Sequence, residues 1–75
     1  MEKENTMADS VFSITELVGT SSEGVEAAIQ NAIDRASRTL RNVDWFQVEE
    51  IRGYISDGRP KQYQVRLKIG FKLDN

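Results

Sequence analysis

Trp45, Arg52, Gln64 and Lys72 are the side chains of this sequence best suited to holding a ligand. Trp45 is the single tryptophan and stands beside Asp44 and Gln47 rather than inside an apolar run. A lone tryptophan most often fills a core or an interface. At a strand start among polar neighbours it also offers an indole face to another flat ring, adding ~0.5–1.5 kcal/mol of aromatic geometry to the area buried. Gln64 presents a carbonyl acceptor beside a pair of N–H donors, the complement of an imide edge. Taken alone it reads as a solvated strand residue. Arg52 carries a planar fork that suits a phosphate, although Glu49 and Glu50 nearby make an ion pair equally reasonable, worth ~0–1 kcal/mol if exposed. The chain has neither histidine nor cysteine. That removes the commonest acid–base groups and nucleophiles, along with disulfides and the usual zinc sites. Carboxylates are plentiful, but none forms a pair in an apolar setting. The inventory describes a binding protein and not an enzyme.

The elements that must position these residues follow from periodicity. Val11 to Val18 is short and rich in β-branched residues, which predicts a strand ended by Gly19. Thr20-Ser21-Ser22-Glu23 matches a capping box. The glycine and hydroxyls before a helix also resemble a weak phosphate loop, but the Gly-Lys-Ser/Thr ending and the GxGxxG pattern are both missing, and capping explains them better. Val25, Ala28, Ile29, Ala32, Ile33, Ala36 and Leu40 then fall on one helical stripe. Arg35, Arg38 and Arg41 near its end complement the helix dipole. Trp45 to Ser56 reads as extended, with Gly53 suggesting a bulge or bend. Asp57-Gly58 supplies a turn, and Pro60 marks the entry to the last strand. Along it, Tyr63, Val65, Leu67, Ile69, Phe71 and Leu73 share one face, while Gln62, Gln64, Arg66, Lys68, Gly70 and Lys72 share the other. The class is α+β, in the order β-α-β-β, with one helix packed on a three-stranded antiparallel sheet. The sheet's other face, polar in β3 but with Gln64 and Gly70 among the charges, suits contact with copies of the same chain.

Size leads to the same expectation. A chain of 75 residues buries only about 60% of the surface its unfolded form exposes, and with no disulfide or metal to staple it, oligomerisation is the remaining support. The net charge of −2 is spread without a basic stripe, which argues against a nucleic-acid partner. No apolar run is long enough for a membrane span or a signal peptide, so the cytoplasm is the expected compartment. Residues 1–10 are polar and aperiodic and read as a disordered tail, with Met7 an alternative start; residues 11–75 form the domain. Glu49, Glu50, Arg66 and Lys68 are assigned to salt bridges at subunit contacts or in the interior of an assembly.

Three stretches in register, ELVGTSSEGVEAAIQNAIDRA (Glu16 to Ala36), DWFQVEEIRG (Asp44 to Gly53) and YQVRLKIGFKL (Tyr63 to Leu73), resemble the bacterial-type dodecins over nearly the whole chain from residue 12 onward. The resemblance implies a hollow homododecamer with helices outside and curved sheets inside. It implies flavins stacked in pairs between tryptophans of neighbouring subunits, with Trp45 in the tryptophan's place and Gln64 in that of the glutamine on the flavin's pyrimidine edge. Arg52, in E-I-R-G, takes the place of the arginine near the ligand phosphate. FMN, or riboflavin, is the implied ligand. Lys72 stands where bacterial members use a basic residue toward coenzyme A. Many of them have arginine there, and a lysine lacks its bidentate fork. The implied role is flavin storage and photoprotection without catalysis, since an indole against an isoalloxazine quenches the excited flavin and leaves a substrate little access. A self-assembling structural module without flavin is the competing reading.

Overall fold

A computed structural model describes residues 9–74. Apart from Asp9 and Ser10, the segment expected to be a disordered tail lies outside the described residues. Four elements follow in order: β1 (Phe12–Ser21), α1 (Val25–Thr39), β2 (Val43–Ser56) and β3 (Arg59–Lys72). They form one antiparallel sheet in the order β1-β3-β2, with α1 on one face, as the patterning predicts.

β3 takes the centre because it has apolar residues for the helix and hydrogen-bonding edges for both neighbours. Its Val65, Leu67 and Ile69 are fully buried against α1. The β2–β3 turn is tight: Asp57 (φ 54°) and Gly58 (φ 74°) both adopt the left-handed region, and Ser56 lies opposite Arg59. Two-residue hairpins favour this geometry because its twist matches that of the strands.

The apolar stripe of α1 lands on the sheet through Ala28, Ala32 and Ala36, flanked by Val25, Ile29, Ile33 and Leu40. Alanines allow a close approach, and Gly19 extends it. A Cβ at Gly19 would lie 2.0 Å from the Ala28 carbonyl oxygen and 3.0 Å from the Ala32 Cβ. Gly19 is therefore an interior packing position of β1 and not its end. The strand runs on to Ser21, with Thr20 opposite Gln64 and Ser21 opposite Tyr63. This pairing also removes the expected capping box. Thr20 and Ser21 are held extended in the sheet, so the helix begins only at Val25, after Gly24, and no side chain caps it. The Ser21 hydroxyl instead accepts the Glu23 backbone N–H at 2.9 Å.

Of the bulge or bend expected at Gly53, the bulge is not there. Gly53 is in register opposite Tyr63, while the irregularities of β2 lie between Val43 and Trp45, Val48 and Glu50, and Tyr54 and Ile55. Glycine is needed at 53 for a different reason, since a Cβ there would sit 2.3 Å from the Gln62 carbonyl oxygen.

One mismatch defines the chain. The 15 residues of α1 extend about 22 Å at ~1.5 Å per residue. The 14-residue strands β2 and β3 extend roughly 46 Å at ~3.3 Å per residue. The helix lies mainly on β1 and β3. The helix-side residues of β2, Phe46, Val48 and Ile51, are left exposed, and so are Tyr54 and Ile55 near the hairpin tip, Ile55 at 79%. Among the described residues only six hydrophobic ones are buried, three of them alanines. So thin a core beside so much uncovered apolar surface marks an interaction face.

Candidate functional site

The four candidate residues all sit on the sheet face that α1 leaves open. β3 places Gln64, Arg66, Lys68, Gly70 and Lys72 there by alternation, β2 adds Trp45, Gln47, Glu50 and Arg52, and β1 adds Phe12, Ile14, Glu16 and Val18, as the register of the two ladders requires. The structure divides the candidates between two ends of this face.

At one end Trp45 lies opposite Gly70. A Cβ built on Gly70 would fall 2.1, 2.3 and 2.6 Å from the Cε2, Cζ2 and Cδ2 atoms of the indole. Cε2 and Cδ2 form the fused bond at the middle of the bicycle, so Gly70 meets the ring from its face and not its edge. The indole is laid across the strand on bare main chain, with 37% of the residue still exposed. Phe12 steadies its rim, with centroids 6.2 Å apart and planes tilted by 50°. Trp45 is thereby a one-sided platform. A cavity of about 220 Å³ on the helix side of the sheet, lined by Ile33, Ser37, Val43, Phe46 and Ile69 among others, falls short of the roughly 300–1,000 Å³ of small-molecule pockets. Lys72 lies at this same end, opposite Phe12, in a shallow groove of about 450 Å³ with Ser10, Asn42 and Asp44. Its strand end is clamped: Asn42, in the left-handed region at φ 63°, donates through Nδ2 to the Lys72 carbonyl at 3.2 Å and to Asp74 Oδ1 at 2.8 Å. The Lys72 N–H returns a bond to the Asn42 carbonyl at 3.0 Å.

At the other end Gln64 lies opposite Arg52. Arg52 donates through Nε to Gln64 Oε1 at 3.2 Å, and Gln64 donates through Nε2 to Gln62 Oε1 at 3.2 Å. Glu50 Oε1 stands 3.9 Å from Arg52 Nη1 and 3.4 Å from Arg66 Nε, while Arg66 also bonds Glu16 across on β1. The Glu16 and Glu50 hydrogen bonds raise the Arg66 pKa above its already high ordinary value, so this guanidinium stays charged at any pH the fold meets. Lys68 reaches Glu49 at 3.9 Å. The expected salt bridges therefore form within one chain, with Glu16 as a member that the sequence did not single out.

Trp45 and Gln64 are not brought together. Their β3 positions, Gly70 and Gln64, are six residues apart, about 20 Å along a strand. The indole is fixed across the strand and the Gln64 amide is held by Arg52 and Gln62, so neither reaches toward the other. Gly70, Gln62 and Phe12 are the members that sequence reasoning missed. A glycine directly across a ladder from an aromatic is a recognisable pairing, but its register depends on the bulges in β2, which the sequence does not reveal.

Fold and face together define a small β-α-β-β protein with an open, ligand-sized sheet surface and too little core to stand alone. The Dodecin family pattern matches residues 11–74. The chain is 58% identical to a dodecin of Thermus thermophilus over 64 residues, which is 85% of this chain and 93% of that one. A crystal structure of a Thermus thermophilus protein superposes with a TM-score of 0.85 at 55% identity, covering 89% of this chain and 98% of that one. The dodecin of Streptomyces coelicolor does so at 0.85 and 49% identity, covering 92% and 99%. The chain belongs to the dodecin family.

Proposed function

We propose that this protein binds FMN or riboflavin without turning it over, as a homododecamer in which paired flavins stack between tryptophans of neighbouring chains. Dodecins are known as flavin-binding proteins, and the proposed role is storage and photoprotection. The observation that carries the reading is the separation of Trp45 from Gln64 on one open face. A ring platform and an imide-reading amide roughly 20 Å apart cannot serve one flavin within one chain. They can do so only when another copy brings its own end of the sheet alongside. In that arrangement the open face of Trp45 takes the isoalloxazine, Gln64 meets its pyrimidine edge, and the Arg52 N–H groups not engaged by Gln64 and Glu50 meet the FMN phosphate. The indole donates an electron to the excited flavin faster than light emission, which is the basis of photoprotection. Lys72, beside Trp45 and away from Arg52, offers a single point charge to the phosphate of a second ligand, coenzyme A. The domain spans residues 11–75, and the cytoplasm, where flavin is made and used, is the proposed location.

Titrating FMN with the flavin-stripped protein at fixed salt and pH tests the reading. Flavin fluorescence should be strongly quenched and saturate near one flavin per chain. If fluorescence is unchanged at micromolar concentrations while the oligomer is intact, the protein is instead a structural module without flavin.

The same reading predicts an assembly variant. Ile51 is 55% exposed on the helix side of β2, beyond the helix, so Ile51→Glu should place a charge in a contact between chains and shift the sedimenting species to monomers or small oligomers. FMN affinity should fall with it although Trp45, Arg52 and Gln64 are intact. An Ile51→Glu protein that still forms the parental assembly would place the contact elsewhere.

A further inference from the structure

Flavin recognition by Gln64 requires its amide to face the ligand in one of two orientations, and the row of residues around it decides which. Arg52 has donors only. The Gln64 atom that faces Arg52 Nε at 3.2 Å must therefore be the oxygen. With the oxygen so placed, Nε2 points to Gln62, 3.2 Å away, and the atom Gln62 presents must be its own oxygen. Each bond sets the polarity of the next. Arg52 is in turn flanked by Glu50, which Arg66 holds from the other side. An amide oxygen accepts two hydrogen bonds and an amide nitrogen donates two. With one of each used internally, Gln64 keeps one acceptor and one donor side by side. That pair complements an N–H next to a carbonyl.

We propose that Gln62 is the positioning residue that fixes the Gln64 amide for reading an imide edge. This rests on the flavin reading of Gln64. Arg52 alone anchors the amide at a single point and leaves it free to swing about the oxygen; Gln62 supplies the second point. Gln62 is half-buried on β3, two residues from Gln64 on the same face, and touches the flavin only through its neighbour.

The test compares riboflavin with N3-methylriboflavin, which lacks the imide proton, by fluorescence quenching on the assembled protein. The parent should prefer riboflavin about tenfold or more, the scale of one well-made hydrogen bond. Gln62→Leu should reduce this preference to roughly threefold or less, while bound flavin stays quenched by Trp45. Gln62→Glu keeps an acceptor toward Gln64 Nε2 and should retain the parental preference. Gln62→Lys offers donors only and should lose it. A change in folding or assembly moves both ligands together and leaves their ratio alone. An unchanged ratio in Gln62→Leu overturns the proposal, as does failure of Gln62→Glu to retain it. A parent protein that binds neither ligand refutes the flavin reading itself and the proposal with it, whereas a parent that binds both equally removes the imide contact of Gln64 and leaves flavin stacking standing.

Discussion

Trp45→Ala is expected to weaken FMN binding by about two orders of magnitude and to return the fluorescence of whatever flavin remains bound. Roughly half of an indole's 150–250 Å² meets the ligand, which at ~25 cal/mol/Å² gives about 2–3 kcal/mol, and stacking geometry adds about 1 kcal/mol. About 3 kcal/mol corresponds to roughly a hundredfold in the dissociation constant. Gly70→Ala should reproduce much of this loss with the tryptophan still present, because the new methyl takes the space of the indole's fused bond and lifts the ring off its seat. Isothermal titration together with fluorescence separates the two effects, and sedimentation confirms that the assembly survives. Parental FMN affinity in Trp45→Ala would refute the sandwich.

Gly19→Ala should have the largest effect on the fold. Its methyl would meet the Ala28 carbonyl, a backbone atom of α1 that cannot rotate away, at 2.0 Å. The helix must lift, which opens the contacts of Ala28 and Ala32 with Val65 and Leu67. Overpacking of this kind costs about 3 kcal/mol, the upper end of the usual range, against a total of only about 4–11 kcal/mol for a chain of this length. At fixed chain concentration the melting midpoint should fall by roughly 12–24 °C. A shift of only a degree or two would mean that α1 is not seated on Gly19. Substitution at Gly24, where a Cβ meets nothing within 4 Å, is the matched control.

The two elements with the strictest periodicity were fully legible from the sequence. The α1 stripe and the alternation of β3 each admit one face toward the core, and the Asp57-Gly58 pair admits one kind of turn. The boundary between β1 and α1 was not legible. Gly19 reads locally as a terminator and Thr20 to Glu23 as a cap, yet pairing with Tyr63 and Gln64, more than forty residues away, outweighs both local preferences. The same limit applied to the site. Trp45, Arg52, Gln64 and Lys72 were recognisable by type and by resemblance, but their division between two ends of the sheet depends on the β2 register. Gln62 and Gly70 acquire roles only once that register is known. Gly53 shows the converse, a glycine noticed as a possible bulge that is needed for a close backbone approach to Gln62 instead.

The irregular ladder of β2 bears on how such a chain avoids polymerising. β2 is an outer strand of 14 residues with large apolar side chains exposed, the kind of edge that templates strand-to-strand growth into fibres. Its three register breaks leave regular runs of only Trp45–Val48 and Glu50–Tyr54 between them. Two of the breaks insert an extra residue into β2, Asp44 and Glu49, and the third inserts Lys61 into β3; each twists the ladder and shifts its hydrogen-bonding phase, so a second flat strand can match the edge over only a few residues at a time. Indefinite edge-to-edge addition is thereby disfavoured relative to side-chain contacts that close on themselves. The same kinks that obscure the register in the sequence thus favour a closed shell over an open filament.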